Sequence, residues 1–136
     1  MNLTQESALR AYARMINTGD PGALAPLLAE DFHYSSQWVF QEITSKDAYL
    51  DYITGKLDSI CKTGAPVWAE MGSLHHTWPG PCVIVAEGTK DSLTALVLAK
   101  VAGGFIRRLD MCFVPAPESA RRTGDYPGTA PTEVVS

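Results

Sequence analysis

The sequence predicts an α+β domain, with helices from the first half of the chain covering one face of an antiparallel sheet built from the second half. Two patterns predict it. Up to about Cys61, apolar residues recur mainly at three- and four-residue spacing, the period of a helix with one buried side. From Val67 to Val114 the chain is strand and turn only, and the short connections make neighbouring strands pair antiparallel. At 136 residues, 46% hydrophobic and 19% charged, the chain has the length of one domain and the apolar content to bury a core.

Taken in order, residues 4–18 read as a helix capped by Thr4, with Leu9, Tyr12, Ala13 and Ile16 on one side and Gly19-Asp20-Pro21 as its stop. Asp20 can cap a short second helix carrying Leu24, Leu27 and Leu28, with Pro21 at its first position. Phe32 to Gln41 alternates like a strand. Thr44-Ser45-Lys46-Asp47 starts a third helix through about Cys61, with Tyr49, Leu50, Ile53, Leu57 and Ile60 as its apolar stripe and Lys62-Thr63-Gly64 as its end. Four strand runs follow, Val67–Thr77, Cys82–Gly88, Asp91–Val101 and Phe105–Val114, broken by Pro79-Gly80-Pro81, Thr89-Lys90 and Ala102-Gly103-Gly104. Residues 1–114 therefore form the folded domain. Residues 115–136, rich in Pro, Gly, Ser and Thr, read as a flexible tail with too little apolar surface to offset its ordering.

Fifteen acids against eleven bases give a net charge of −4. With only Arg107-Arg108 and Arg121-Arg122 as paired bases, nucleic acid is disfavoured as a partner. No apolar run reaches membrane-spanning length, so no membrane is expected. The N-terminus lacks the pattern of a signal peptide, so the expected compartment is the cytoplasm. Cys61, Cys82 and Cys112 are three in number and far apart, which fits buried small hydrophobes better than disulfides or a metal site. Glycine-rich phosphate loops and Gly-x-Ser-x-Gly elbows are absent, and neither a metal nor a cofactor is expected.

The element order and three motifs resemble the nuclear transport factor 2-like superfamily. The motifs are Tyr12-Ala-Arg-Met-Ile-Asn-Thr-Gly-Asp20, Leu27-Leu-Ala-Glu-Asp-Phe32 and Gly104-Phe-Ile-Arg-Arg-Leu-Asp110. Tyr34–Phe40 followed by Asp47–Ile53 looks like a bacterial branch to which no reaction is attached. The resemblance covers residues 4–114. It implies a cone: a curved antiparallel sheet wrapped by three N-terminal helices around an internal pocket. The superfamily spans isomerases, epoxide hydrolases, cyclases, binders and a transport factor, so the site must decide function.

If Ala102-Gly103 is the tip of the last hairpin, Val97 lies opposite Arg108 and Ala95 opposite Asp110. The family's lining positions on the last strand then correspond to Ile106, Arg108, Asp110 and Cys112, which puts Arg108 and Asp110 inside the cone as an ion pair. A single bulge would swap part of this assignment. Tyr12, Ser36, Trp38 and His75, with Arg108 and Asp110, are the expected ligand-binding residues. By strand alternation only one of His75 and His76 can face the pocket. Of the groups a ketosteroid isomerase needs, Tyr12 matches the family's tyrosine, but the base position falls at Ser36 and the oxyanion aspartate in the apolar run Ala95–Ala99. The favoured reading is a binder of a small apolar molecule. The alternatives are a hydrolase or isomerase acting through Arg108 and Asp110, with Tyr12 as a third candidate, and a protein-interaction module. Leu96, Leu98, Phe105, Leu109 and Met111 are expected on the outer sheet face, where they would form a homodimer contact.

Overall fold

The protein is described by a computed structural model over residues 3–37, 39–75 and 79–129. Helix α1 spans Gln5–Thr18. Thr4 Oγ1 accepts from the Ser7 N–H and the Thr4 N–H donates to Ser7 Oγ, both at 3.0 Å, which satisfies two amides that the first turn cannot. Gly19 ends the helix at φ 75°, a left-handed conformation that glycine adopts without strain. Asp20 caps the next turn as expected, accepting from the Gly22 N–H at 2.9 Å. The second helix, however, is reduced to two 3-10 turns, Pro21–Ala23 and Ala25–Leu27. Pro26 has no N–H to continue an α-helix, and Leu28 already begins β1 (Leu28–Ser36). The strand expected from Phe32 to Gln41 is a hairpin instead: β1 pairs antiparallel with β2 (Val39–Ile43).

Ser45 caps α2 (Lys46–Thr63), which buries Tyr49, Ile53 and Leu57. Strands β3 (Val67–Leu74), β4 (Gly80–Glu87), β5 (Leu93–Ala102) and β6 (Phe105–Cys112) form the expected antiparallel meander. With a short last strand, β7 (Arg121–Arg122), the sheet order is β2-β1-β6-β5-β4-β3-β7, and β1 lies parallel beside β6, so the sheet is mixed where an antiparallel one was expected. The helices cover one face. The main core joins Leu9, Tyr12, Met15 and Ile53 from the helices to Val83, Val97, Leu109 and Met111 from the sheet.

Two irregularities set which side chains face that core. The last hairpin turns at Gly103-Gly104, pairing Ala102 with Phe105 and Val101 with Ile106. The register then slips: Lys100 pairs with Arg108 and Leu98 with Asp110. A second slip lies between Val85 and Ala86. Each slip exchanges the faces beyond it. Leu109, Met111, Val83 and Val85 therefore point inward. Leu74, Cys82, Ile84 and Leu96 form a smaller cluster that packs with Ala120 instead.

Residues 115–129 are not a flexible tail. Pro117–Ser119 forms a turn and Ala120 covers the outer cluster. Strand β7 (Arg121–Arg122) then pairs with β3. Arg122 Nε donates to the buried Glu70 carboxylate at 2.8 Å, and the Gly124 N–H donates to its other oxygen at 2.7 Å. The Met71 N–H donates to the Asp125 carbonyl at 2.8 Å, and Asn17 Nδ2 to the Pro127 carbonyl at 2.8 Å. Lys90 Nζ sits 4.8 Å from the Trp68 ring and 4.5 Å from the Tyr126 ring. The segment docks through polar pairing along the exposed edge of β3, which also protects that edge from pairing with other chains. Gly72 permits the approach: a Cβ there would meet Ile84 Cδ1 at 2.6 Å and the Arg121 carbonyl at 2.9 Å.

Arg122→Met leaves the Glu70 carboxylate buried without its cation and is expected to cost roughly 3 kcal/mol, a fall of about 10 °C in Tm at this size. Truncation after Val114 should destabilise at least as much. Thermal melts check both, and a truncated chain that melts with the intact one would show that the segment contributes nothing.

Candidate functional site

Between α1, α2 and the inner sheet face lies a pocket of about 160 Å³. Tyr12 and Ile16 reach it from α1, Tyr34 from β1, Ile53 from α2, Val85 from β4 and Met111 from β6. Its remaining lining includes the exposed Thr63, Ala65, Pro66 and Glu87, so the mouth opens between the end of α2 and the start of β3. Tyr12 takes its place because it lies on the same side of α1 as Leu9 and Ile16, and it is fully buried.

An aromatic cluster supports the deep wall. Ring centroids are 4.9 Å apart for Phe32 and Tyr49, 5.1 Å for Tyr34 and Tyr49, and 5.6 Å for Tyr34 and Tyr52. Tyr34 donates its hydroxyl to Met111 Sδ at 3.9 Å. Burial pushes the Tyr12 phenol well above its usual range; for Tyr34, burial does the same and the neighbouring phenols add to it. Both phenols therefore stay protonated at any ordinary pH and act as hydrogen-bond donors rather than bases. The remaining ionisable lining groups are Lys56 and Glu87.

The Arg108–Asp110 pair is formed, on the other side of the sheet. Arg108 Nε lies 3.0 and 3.1 Å from the two Asp110 oxygens, and Ser35 Oγ donates to the same carboxylate at 3.0 Å. The Arg108 guanidinium also donates to Glu42, whose carboxylate is 2.8 Å from His33 Nδ1. The hydrogen bond from His33, followed by that from Arg108, holds the Glu42 carboxyl below its ordinary range. The expectation that Arg108 and Asp110 point into the cone is thus corrected. The slip between Lys100 and Val101 turns both outward and brings Leu109 and Met111 inward.

The other expected residues divide. Ser36 is buried two positions beyond Tyr34 on β1 but does not line the pocket. His75 is exposed and hydrogen-bonded to Ser73 at 2.8 Å, in a different cleft. Trp38 and His76 lie outside the described residues. Among the described residues no cluster of histidine, cysteine and carboxylate groups is arranged to hold a metal, and no helix is long and apolar enough to cross a membrane. Of the expected residues that are described, only Tyr12 lines the pocket, and Tyr34 and Met111 are among the lining residues the sequence reading missed. Alternation of Phe32, Tyr34 and Ser36 along β1 already pointed Tyr34 to the core, whereas Met111 depended on the invisible slip.

The outer-face set expected for a dimer is corrected as well. Leu109 and Met111 face inward, and Leu96 is fully buried in the cluster that Ala120 joins. What remains of that set is Leu98 and the exposed Phe105. Leu98, with Cys112, Val114 and Asp110, lines an open pocket of about 520 Å³.

Solved structures share this architecture at low sequence identity. The chain is 14% identical to a nuclear transport factor 2-like protein of unknown function from Cytophaga hutchinsonii, with a TM-score of 0.55, covering 85% of this chain and 96% of that one. It is 16% identical to a SnoaL-like protein of unknown function from Burkholderia thailandensis, with a TM-score of 0.55 over 91% of this chain and 100% of that one. A protein from Catenulispora acidiphila with a ketosteroid isomerase-like fold, solved in complex with trimethylamine, is 16% identical, with a TM-score of 0.50 over 79% of this chain and 85% of that one. The chain has the nuclear transport factor 2-like fold. No protein-family model and no curated protein matches it.

The outer network makes a pH prediction. The folded-state value of Glu42 is lowered, so its contribution to stability is present above the ordinary glutamate value of about 4.3. That contribution is lost as pH falls through the lower folded value. Carbon-detected NMR of the side-chain carboxyl should show Glu42 titrating below that ordinary value in the wild type and moving back up in His33→Ala and in Arg108→Met. A Glu42 that titrates at the ordinary value in the wild type would contradict the network.

Proposed function

We propose that this nuclear transport factor 2-like chain binds one small, predominantly apolar molecule in the pocket between α1, α2 and the sheet. The observation that carries this is a space of about 160 Å³ whose deep wall is built of Ile16, Ile53, Val85 and Met111 with the Tyr12 and Tyr34 phenols, while Lys56, Thr63 and Glu87 complete the polar lining. A cavity of about 150 Å³ lined by apolar side chains holds one benzene-sized ring. The pocket thus suits a compact guest, and the phenols favour one carrying a single hydrogen-bond acceptor. The trimethylamine complex of the Catenulispora protein, although a different molecule in a distant relative, is consistent with a guest of this size. This reading assigns no step to Arg108 and Asp110.

Toluene, phenol and trimethylamine, each titrated at millimolar concentration, test the proposal by amide chemical shifts. Shifts should map to Ile16, Ile53 and Val85. Ile53→Trp should abolish them by filling the space, and Asp110→Asn should leave them unchanged. Tyr12→Phe should weaken phenol binding roughly tenfold, about 1.4 kcal/mol. Shifts confined to the outer face, or none with any of the three, would overturn the proposal.

We infer in addition that two copies pair through the outer face, over a narrower band than the sequence suggested. Leu98 and Cys112, partly buried in one copy, and the exposed Val114 line the same recess. A second copy would remove that apolar surface from water. Light scattering should report a dimer at micromolar concentration, and Leu98→Glu should convert it to a monomer with an unchanged Tm. A wild type that is already monomeric sinks this inference.

A further inference from the structure

Toward the N-terminal end of α1 lies a second cleft, of about 530 Å³, separate from the pocket described above. Ser73 and His75 line it from the end of β3 and the residue just beyond, Glu6 and Arg10 from α1, and Asp125 from the docked C-terminal segment. Residues two apart along an extended chain project to the same side, and Ser73 Oγ lies 2.8 Å from His75 Nε2. Ser73 is half-buried and His75 exposed, so the pair is accessible to a molecule in the cleft. Arg10 Nη2 is 2.6 Å from Asp125 and Arg10 Nε is 3.5 Å from Glu6. Its Nη1 has no hydrogen-bond partner among the described residues.

We propose that Ser73 is a nucleophile, with His75 as its general base, toward small uncharged esters. A hydroxyl within hydrogen-bond reach of a neutral imidazole is the arrangement that activates serine for attack. In the imidazole tautomer protonated on Nδ1, Nε2 accepts the Ser73 hydroxyl proton. As Ser73 Oγ bonds to the ester carbonyl carbon, that proton passes to Nε2. The carbon–alkoxide bond then breaks, the leaving oxygen takes the proton from Nε2, and an alcohol departs from O-acyl-Ser73. Water attacks the acyl carbon with its proton again taken by Nε2, and the Ser73 oxygen recovers a proton as the carboxylic acid leaves. Arg10, which lines the same cleft, is assigned as the donor to the developing oxyanion. Glu6 and Asp125 on the same walls disfavour an anionic substrate, and Met71, Pro79 and Pro81 offer apolar surface to a short acyl chain.

The intact chain is treated with a fluorophosphonate, which transfers its phosphorus to an activated serine with loss of fluoride, and the adduct is mapped by mass spectrometry. Hydrolysis of p-nitrophenyl acetate is followed in parallel. The expected result is a single adduct on Ser73 that disappears in Ser73→Ala and forms at least tenfold more slowly in His75→Gln, with p-nitrophenol release falling in the same order. Both variants alter groups outside the core and should melt with the wild type. If a variant does not, the wild-type labelling still decides: no adduct on Ser73 overturns the proposal. Labelling that is indifferent to His75→Gln overturns the role of the imidazole and with it the activated pair.

Discussion

Between Val101 and Lys100 the pairing of β5 with β6 takes up one extra residue on β6, and the rest of the site depends on that step. Beyond it Leu109 and Met111 face the helices while Arg108 and Asp110 face away. Without the step, a guanidinium and a carboxylate would stand where Met111 now lines the pocket. Burying that pair beside Tyr34 would exchange an apolar wall for two charges that must be desolvated together. With it, the charges stay partly exposed, their pairing extends through Glu42 to His33, and the inner face remains apolar. The slip between Val85 and Ala86 completes the arrangement by turning Val83 and Val85 to the same inner side.

The two faces thereby acquire different chemistry from one set of strands. The inner face offers apolar surface and protonated phenols, which suits binding by shape and a single hydrogen bond. The outer face carries a chain of ionisable groups, and its apolar residues are largely covered by the chain's own C-terminal segment. That cover is anchored by Arg122 on the buried Glu70. Glu70 belongs to the outward-facing set of β3, beside Ile84 of β4, so the segment both covers apolar surface and neutralises the carboxylate at its centre. The same segment brings Asp125 to Arg10 and so shapes the cleft that holds Ser73 and His75.

Much of this was legible in the sequence where a local rule decides. Thr4, Gly19, Ser45 and Gly64 mark helix ends because capping chemistry is confined to a few residues. Tyr12 follows from helical spacing, and the mutual pairing of Arg108 and Asp110 from their separation of two on a strand. The face of the sheet they occupy was not legible, because nothing in the local sequence marks the slip opposite Arg107. Pro26 was the readable warning that the second helix would fail. The docking of residues 115–129 was hidden for a different reason: the segment carries few large apolar residues and binds mainly through Arg122, Thr123, Gly124 and Asp125, whose hydrogen-bond partners on β3 lie far away in sequence.

The central claim is that the guest site is on the inner face and that the Arg108–Asp110 network stands apart from it. Crystals soaked in 4-bromophenol test this most directly, because anomalous scattering locates the bromine without reference to any assumed pose. A bromine peak among Ile16, Ile53 and Met111, with the phenolic oxygen toward Tyr12 or Tyr34, is the result expected. A peak beside Asp110 and Leu98 with the inner pocket empty would contradict the account.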